Sequence, residues 1–80
     1  MKARVFVSLK KTVLDPQGQT IRSALAGRGY STIAAVRQGK VFDIDLDASD
    51  RGQAERELDE IARDILANPV IEDYRVEWVE

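Results

Sequence analysis

Eighty residues with 12 basic and 14 acidic side chains, no cysteine and no histidine, allow one small domain over residues 1–80 and a thin core. The missing residue types exclude disulfide staples, zinc fingers, haem ligation, thiolate chemistry and serine–histidine hydrolysis together. The net charge of −2 is unevenly spread: residues 1–42 hold eight basic groups against Asp15 alone, and the remainder holds thirteen acids against four arginines.

The first element is a half-buried strand over residues 2–10, where Ala3, Val5, Val7 and Leu9 share one side and Arg4, Phe6, Ser8 and Lys10 the other. A helix follows from Asp15-Pro16, with Asp15 as N-cap and Pro16 preset for the first turn. Ile21, Ala24 and Leu25 form its narrow apolar stripe, and Gly27 and Gly29 stop it. Two strands come next, Ile33–Gln38 and Val41–Asp47, joined as a hairpin around Gly39-Lys40. Asp50 with Gln53 has the spacing of a capping box and opens a second helix, whose buried face runs through Ala54, Leu58, Ile61, Ala62, Ile65 and Leu66. Asn68-Pro69 ends that helix, because proline has no amide to continue it. The closing strand alternates Tyr74, Val76 and Trp78 with Arg75, Glu77 and Val79.

The order β-α-β-β-α-β predicts an α+β, ferredoxin-like antiparallel sheet with both helices on one face. Without cysteines or metal ligands to staple so small a fold, an oligomer is expected. The chain shows no apolar run of membrane-spanning length and no signal-peptide pattern, which predicts a cytoplasmic protein with no membrane partner.

Little in the pattern promises chemistry. The helix-free sheet face would carry Arg4, Phe6 and Ser8 beside Asp43, Asp45 and Asp47, too few aromatics and too many carboxylates for nucleic acid. Three carboxylates along one side of a strand stand about 6.8 Å apart and do not converge on one metal ion. They read instead as a solvated or cross-strand-paired stripe opposite Arg4, Lys2 or Arg75. No histidine is present to activate Ser8, Ser23, Ser31 or Ser49, so no catalytic residue, cofactor site or metal site is expected on this chain.

Three segments together resemble one family. Leu9-Lys10-Lys11-Thr12-Val13-Leu14-Asp15-Pro16-Gln17-Gly18 resembles the LKxxVLDPQG opening of the PurS family, the small subunit of phosphoribosylformylglycinamidine synthase. Val36-Arg37-Gln38-Gly39-Lys40 resembles its VRxGK hairpin, and Leu66-Ala67-Asn68-Pro69-Val70-Ile71-Glu72-Asp73-Tyr74 its LANPVIEDY run before the last strand. The likeness spans the chain. It departs at Gly27-Arg28-Gly29-Tyr30, where relatives carry a leucine-glycine-aromatic ending, and in strand aspartates where relatives often carry glutamates.

The resemblance implies a non-catalytic subunit of a purine-biosynthetic carbon–nitrogen ligase that aminates formylglycinamide ribonucleotide with ATP and glutamine. A large synthetase subunit would hold ATP, magnesium and the ribonucleotide, and a glutaminase subunit would release ammonia. The small subunit, a homodimer or tetramer, would assemble the two and support ammonia transfer. The residues it points to for partner contact are Asp15, Pro16, Gln17, Gly18, Arg37, Gly39, Lys40, Asn68 and Pro69. Asp15-Pro16, Gly39 and Asn68-Pro69 are equally well explained as a helix start, a turn and a helix stop, whereas Arg37 and Lys40 are harder to explain by folding alone. The residues also leave open an ACT-like regulatory domain, in which Asp15-Pro16-Gln17-Gly18 would offer its free amides to a small ligand's carboxylate.

Overall fold

A computed structural model describes residues 1–79. Its elements are strand β1 (Lys2–Leu9), helix α1 (Pro16–Gly27), strand β2 (Gly39–Asp45), helix α2 (Arg51–Ile61) with a π-helical turn Ala62–Leu66, and strand β3 (Glu72–Trp78). The sheet has the order β2-β1-β3 with both pairings antiparallel.

The period-two pattern of the first strand is realised. Ala3, Val5 and Val7 are buried at the centre of the sheet, with Phe42, Ile44, Tyr74, Val76 and Trp78 packed around them. Helix α2 closes this face with Ala54 and Leu58, and the π turn adds Ala62. On the other face, Arg4 pairs with Asp43 at 2.8 Å, as a cross-strand stripe requires, and the Arg75 guanidinium lies 4.1 Å from the Phe6 ring centre.

Both helix starts follow from their caps. The Asp15 carboxylate accepts from the Gly18 amide at 3.0 Å, and Asp50 accepts from the Gly52 and Gln53 amides at 2.9 and 3.4 Å. The second half of the expected capping box is not made, because the Gln53 side chain turns forward to Glu57. Helix α1 ends on paired reverse bonds, Gly29 N–H to the Ala26 carbonyl and Tyr30 N–H to the Leu25 carbonyl. That closure needs a left-handed residue, and Gly29 supplies it at φ 92°.

Three expectations are corrected. Residues 33–38 form no strand, so there is no hairpin at Gly39-Lys40, and the sheet has three strands where four were expected. A strand forms only beside a partner edge, and α1 does not fold back to bring this segment alongside β2. The two helices do not share a sheet face either: Gly18 is the sole buried residue of α1, and Ile21 and Ala24 are exposed. Helix α1 and the segment after it, residues 16–38, form an arm, and the chain has a radius of gyration of 16.2 Å, against about 12 Å for a compact chain of this length. Thirdly, Ile61 and Ile65 leave the buried face of the second helix. The bond from the Ala67 amide to the Ala62 carbonyl, five residues back, widens the last turn and rotates Ile65 outward while Ala67 turns in.

Candidate functional site

All three strands meet at one end of the sheet. There, β1 finishes at Leu9 opposite Glu72, the first residue of β3, and Ser8 faces Gly39, the first residue of β2. Each of the three motifs sits at a connection on this same end, so the nine residues singled out in the sequence converge on it.

Asp15 is the fulcrum. It is the one polar residue buried among those described, at 5% exposure, and besides capping α1 it accepts the Gln38 amide at 2.7 Å. The two backbone amides, Gln38 first and Gly18 second, hold its carboxyl below the usual carboxylate range. Gly18 completes the joint, since a Cβ there would stand 2.1 Å from the Val36 carbonyl oxygen. Only glycine lets the first turn of α1 lie against residues 36–38. A similar closeness holds at Gly39, where a Cβ would meet the Val7 carbonyl at 2.8 Å. Gly39 is therefore a close-approach glycine at the start of β2, with no hairpin turn to serve.

Arg37 gains a folding role that was invisible in the sequence: its guanidinium donates to the Lys10 carbonyl at 2.9 Å, tying the end of the arm to the end of β1. Lys40 is exposed and lines a depression of about 160 Å³ with Ser8, Asp15, Gln17 and Glu72. On the far side, the Lys10 amide donates to the Ile71 carbonyl, which seats the third motif against the first. Asn68 works as a turn residue there: its amide donates to the Glu72 carboxylate at 2.7 Å and its side chain accepts from the Val70 amide at 3.0 Å. Pro69 lies on the wall of a second depression with Lys10, Arg63 and Tyr74.

Sequence reasoning missed the apolar fringe of this end. Leu14, Ile65 and Val70 are 63%, 75% and 79% exposed. Leu14 and Val70 sit inside the motifs and carried a signal, but Ile65 had been counted as core and only the π turn exposes it. Tyr74 and Trp78 are half-buried residues packed against the core. Tyr74 donates to Asp59 at 2.5 Å, which with burial raises its pKa, and Arg51 stacks 4.2 Å over Trp78.

This end combines backbone joints with exposed aliphatic groups and the cations of Lys10, Lys11 and Lys40. The class is a small α+β domain with an antiparallel sheet. Comparison with known proteins gives the particular family. The family model for PurS, phosphoribosylformylglycinamidine (FGAM) synthase, matches residues 2–80. A PurS subunit of that synthase from Archaeoglobus fulgidus is 42% identical over 80 residues, covering all of both chains. One from Bacillus subtilis is 43% identical over 99% of this chain and 93% of its own. Among solved structures, Bacillus subtilis PurS superposes with a TM-score of 0.89 at 43% identity, covering 99% of this chain and 98% of the other. A chain in the structure of PurLQS from Thermotoga maritima gives 0.88 at 27% identity, covering 98% and 95%. The chain belongs to the PurS family of subunits of phosphoribosylformylglycinamidine synthase, and the ACT-like alternative is left without support.

Proposed function

We propose that this chain is the small, non-catalytic subunit that brings the synthetase and glutaminase subunits of phosphoribosylformylglycinamidine synthase together, working in the cytoplasm as a homo-oligomer. ATP and magnesium belong to the synthetase subunit in this reading. The observation that carries it is the convergence of three separated motifs on one end of the sheet, although about a third of the chain, residues 41–65, lies between the second and third. Folding alone does not ask for Leu14, Lys40 and Val70, each inside one of the three motifs, to be exposed. A surface built to meet a large partner does, and the motif residues Asp15, Pro16, Gln17, Gly18, Arg37, Gly39, Lys40, Asn68 and Pro69 either form it or hold it in shape. Cationic Lys40 and Lys10 suit a partner surface of opposite charge.

The test is turnover by the synthetase and glutaminase subunits with and without this chain, with nitrogen supplied as glutamine or as ammonium. Glutamine-driven product that needs the chain, with ammonium-driven product depending on it less, supports assembly and ammonia transfer. Indifference of both series to the chain refutes the role.

A further inference from the structure

Strand β3 closes the sheet on one side, and its outer edge is open. The Lys10 amide donates to the Ile71 carbonyl and the Val79 amide to the Lys2 carbonyl, both in the register that pairs Leu9 with Glu72 and Ala3 with Trp78. Antiparallel bonds alternate along a strand. Asp73, Arg75 and Glu77 therefore exchange bonds with β1. The amides and carbonyls of Tyr74, Val76 and Trp78 point away from it, where no further strand stands among the described residues. β3 has seven residues, no proline and an unbroken register, the form of edge that accepts another strand. The opposite edge is guarded. The outward residues of β2 include Asp43 and Asp45, and Asp47 follows, a row of like charges that blunts pairing.

The β3 edge also has a roof and a pocket. Helix α2 lies over β3, since Arg51 stacks on Trp78 and Asp59 accepts from Tyr74. Where the π turn meets the start of β3, a depression of about 340 Å³ opens among Lys10, Arg63, Ala67, Pro69 and Tyr74. Ile65 and Val70, chain neighbours of that wall, are exposed. Through Lys10 and Pro69 the depression is continuous with the motif end described above. On its outward side the edge shows Asp73, Arg75 and Glu77. Arg75 is engaged within the sheet, 4.1 Å from the Phe6 ring centre and 3.3 Å from Glu77. The Asp73 carboxylate has no bond among the described residues.

We infer that the β3 edge is where an extended segment of one of the two larger subunits joins this chain as a fourth strand. Main-chain bonds to Tyr74, Val76 and Trp78 supply the affinity, and the depression at the π turn receives an aliphatic side chain from the segment's inner face. Cross-strand pairing sets the charges of its outer face. Two basic residues four positions apart stand opposite Asp73 and Glu77, with no basic residue between them opposite Arg75. The occupant is thus an extended, basic segment. This rests on the assembly role proposed above and specifies a contact that performs it.

Hydrogen exchange tests the edge amide by amide. The isotopically labelled chain exchanges alone and within the assembled synthase, is then quenched and dissociated, and its remaining protons are read by NMR. Strand addition should slow Tyr74, Val76 and Trp78 about tenfold or more on assembly. Asp73, Arg75 and Glu77, already bonded to β1, should change little. Asp73→Lys alters an exposed side chain without a bond, so the fold is retained. It should raise the chain concentration that gives half-maximal glutamine-driven turnover about fivefold. Unchanged exchange at Tyr74, Val76 and Trp78, in a synthase whose glutamine-driven turnover needs the chain, overturns the edge contact and leaves the assembly role standing. Turnover indifferent to the chain overturns both. Equal slowing of all six amides is general stabilisation and overturns strand addition. So does slowing that already occurs in the chain alone and grows with its own concentration, which would assign the edge to a second copy. An unchanged half-maximal concentration for Asp73→Lys overturns the basic segment.

Discussion

Replacing Gly18 with alanine tests the joint at the base of the arm through the sign of the effect. Alanine at a helix position ordinarily stabilises by up to ~1 kcal/mol over glycine. Gly27→Ala, where an added Cβ meets nothing within 4 Å, should behave that way. At Gly18 the added Cβ would stand 2.1 Å from the Val36 carbonyl oxygen and 2.9 Å from the Asp15 carboxylate, where ordinary contact begins at 3.4 Å. The Val36 backbone would have to retreat by about 1.3 Å, the difference of those distances. A shift of that size two residues away takes the 2.7 Å bond from the Gln38 amide to Asp15 out of range. Overpacking of this kind costs about 1–3 kcal/mol. That corresponds to roughly 5- to 150-fold faster exchange of the Gln38 amide if the cost falls on the joint. The core around Val5 and Leu58 is remote from it, so the urea midpoint read from Trp78 fluorescence should move little. Amide exchange by NMR on Gly18→Ala, Gly27→Ala and the native chain decides the matter. A Gly18→Ala chain that is stabilised like Gly27→Ala, with Gln38 protection intact, would refute the argument.

Leu58→Ala should cost about 2–5 kcal/mol, because Leu58 is fully buried under the sheet; a domain of this size has only about 4–12 kcal/mol in total, so urea titration should show most of its stability gone. Asp15 has its folded pKa lowered by the Gln38 and Gly18 amides, so its contribution is fully present above the ordinary carboxylate range and disappears as pH falls through the lowered value. Protection of the Gln38 amide should therefore persist through pH 5 and fall only below about pH 4, and Asp15→Asn should remove that pH dependence. Lys40→Ala should leave the urea midpoint unchanged and reduce glutamine-driven turnover of the assembled synthase; Arg37→Ala, which also loses its bond to the Lys10 carbonyl, should speed amide exchange at residues 36–38 as well. Unchanged turnover in both variants would remove these cations from the partner surface.

The central strand was legible because alternation of Ala3, Val5 and Val7 has one reading as a strand, and its buried side agrees. Helix starts at Asp15 and Asp50 and stops at Gly29 and Pro69 were legible for the same local reason: each satisfies backbone groups within a few residues. The motif residues were found through likeness to a family, and their convergence on one end of the sheet could not be read from spacing. Ile65 was misassigned since regular periodicity cannot foresee a π turn.

What the sequence by itself determined is the set of elements whose signals are local: strand alternation, caps and stops, together with the lack of histidine and cysteine. Only the tertiary structure decided that Ile33–Gln38 stays out of the sheet, that α1 leaves its own core, and that Gly18 and Gly39 are contact glycines. Those outcomes depend on whether a partner edge or face comes within reach. That is a property of how α1 is aimed by the buried Asp15 bond to Gln38, across 23 residues of chain, and no local pattern encodes it.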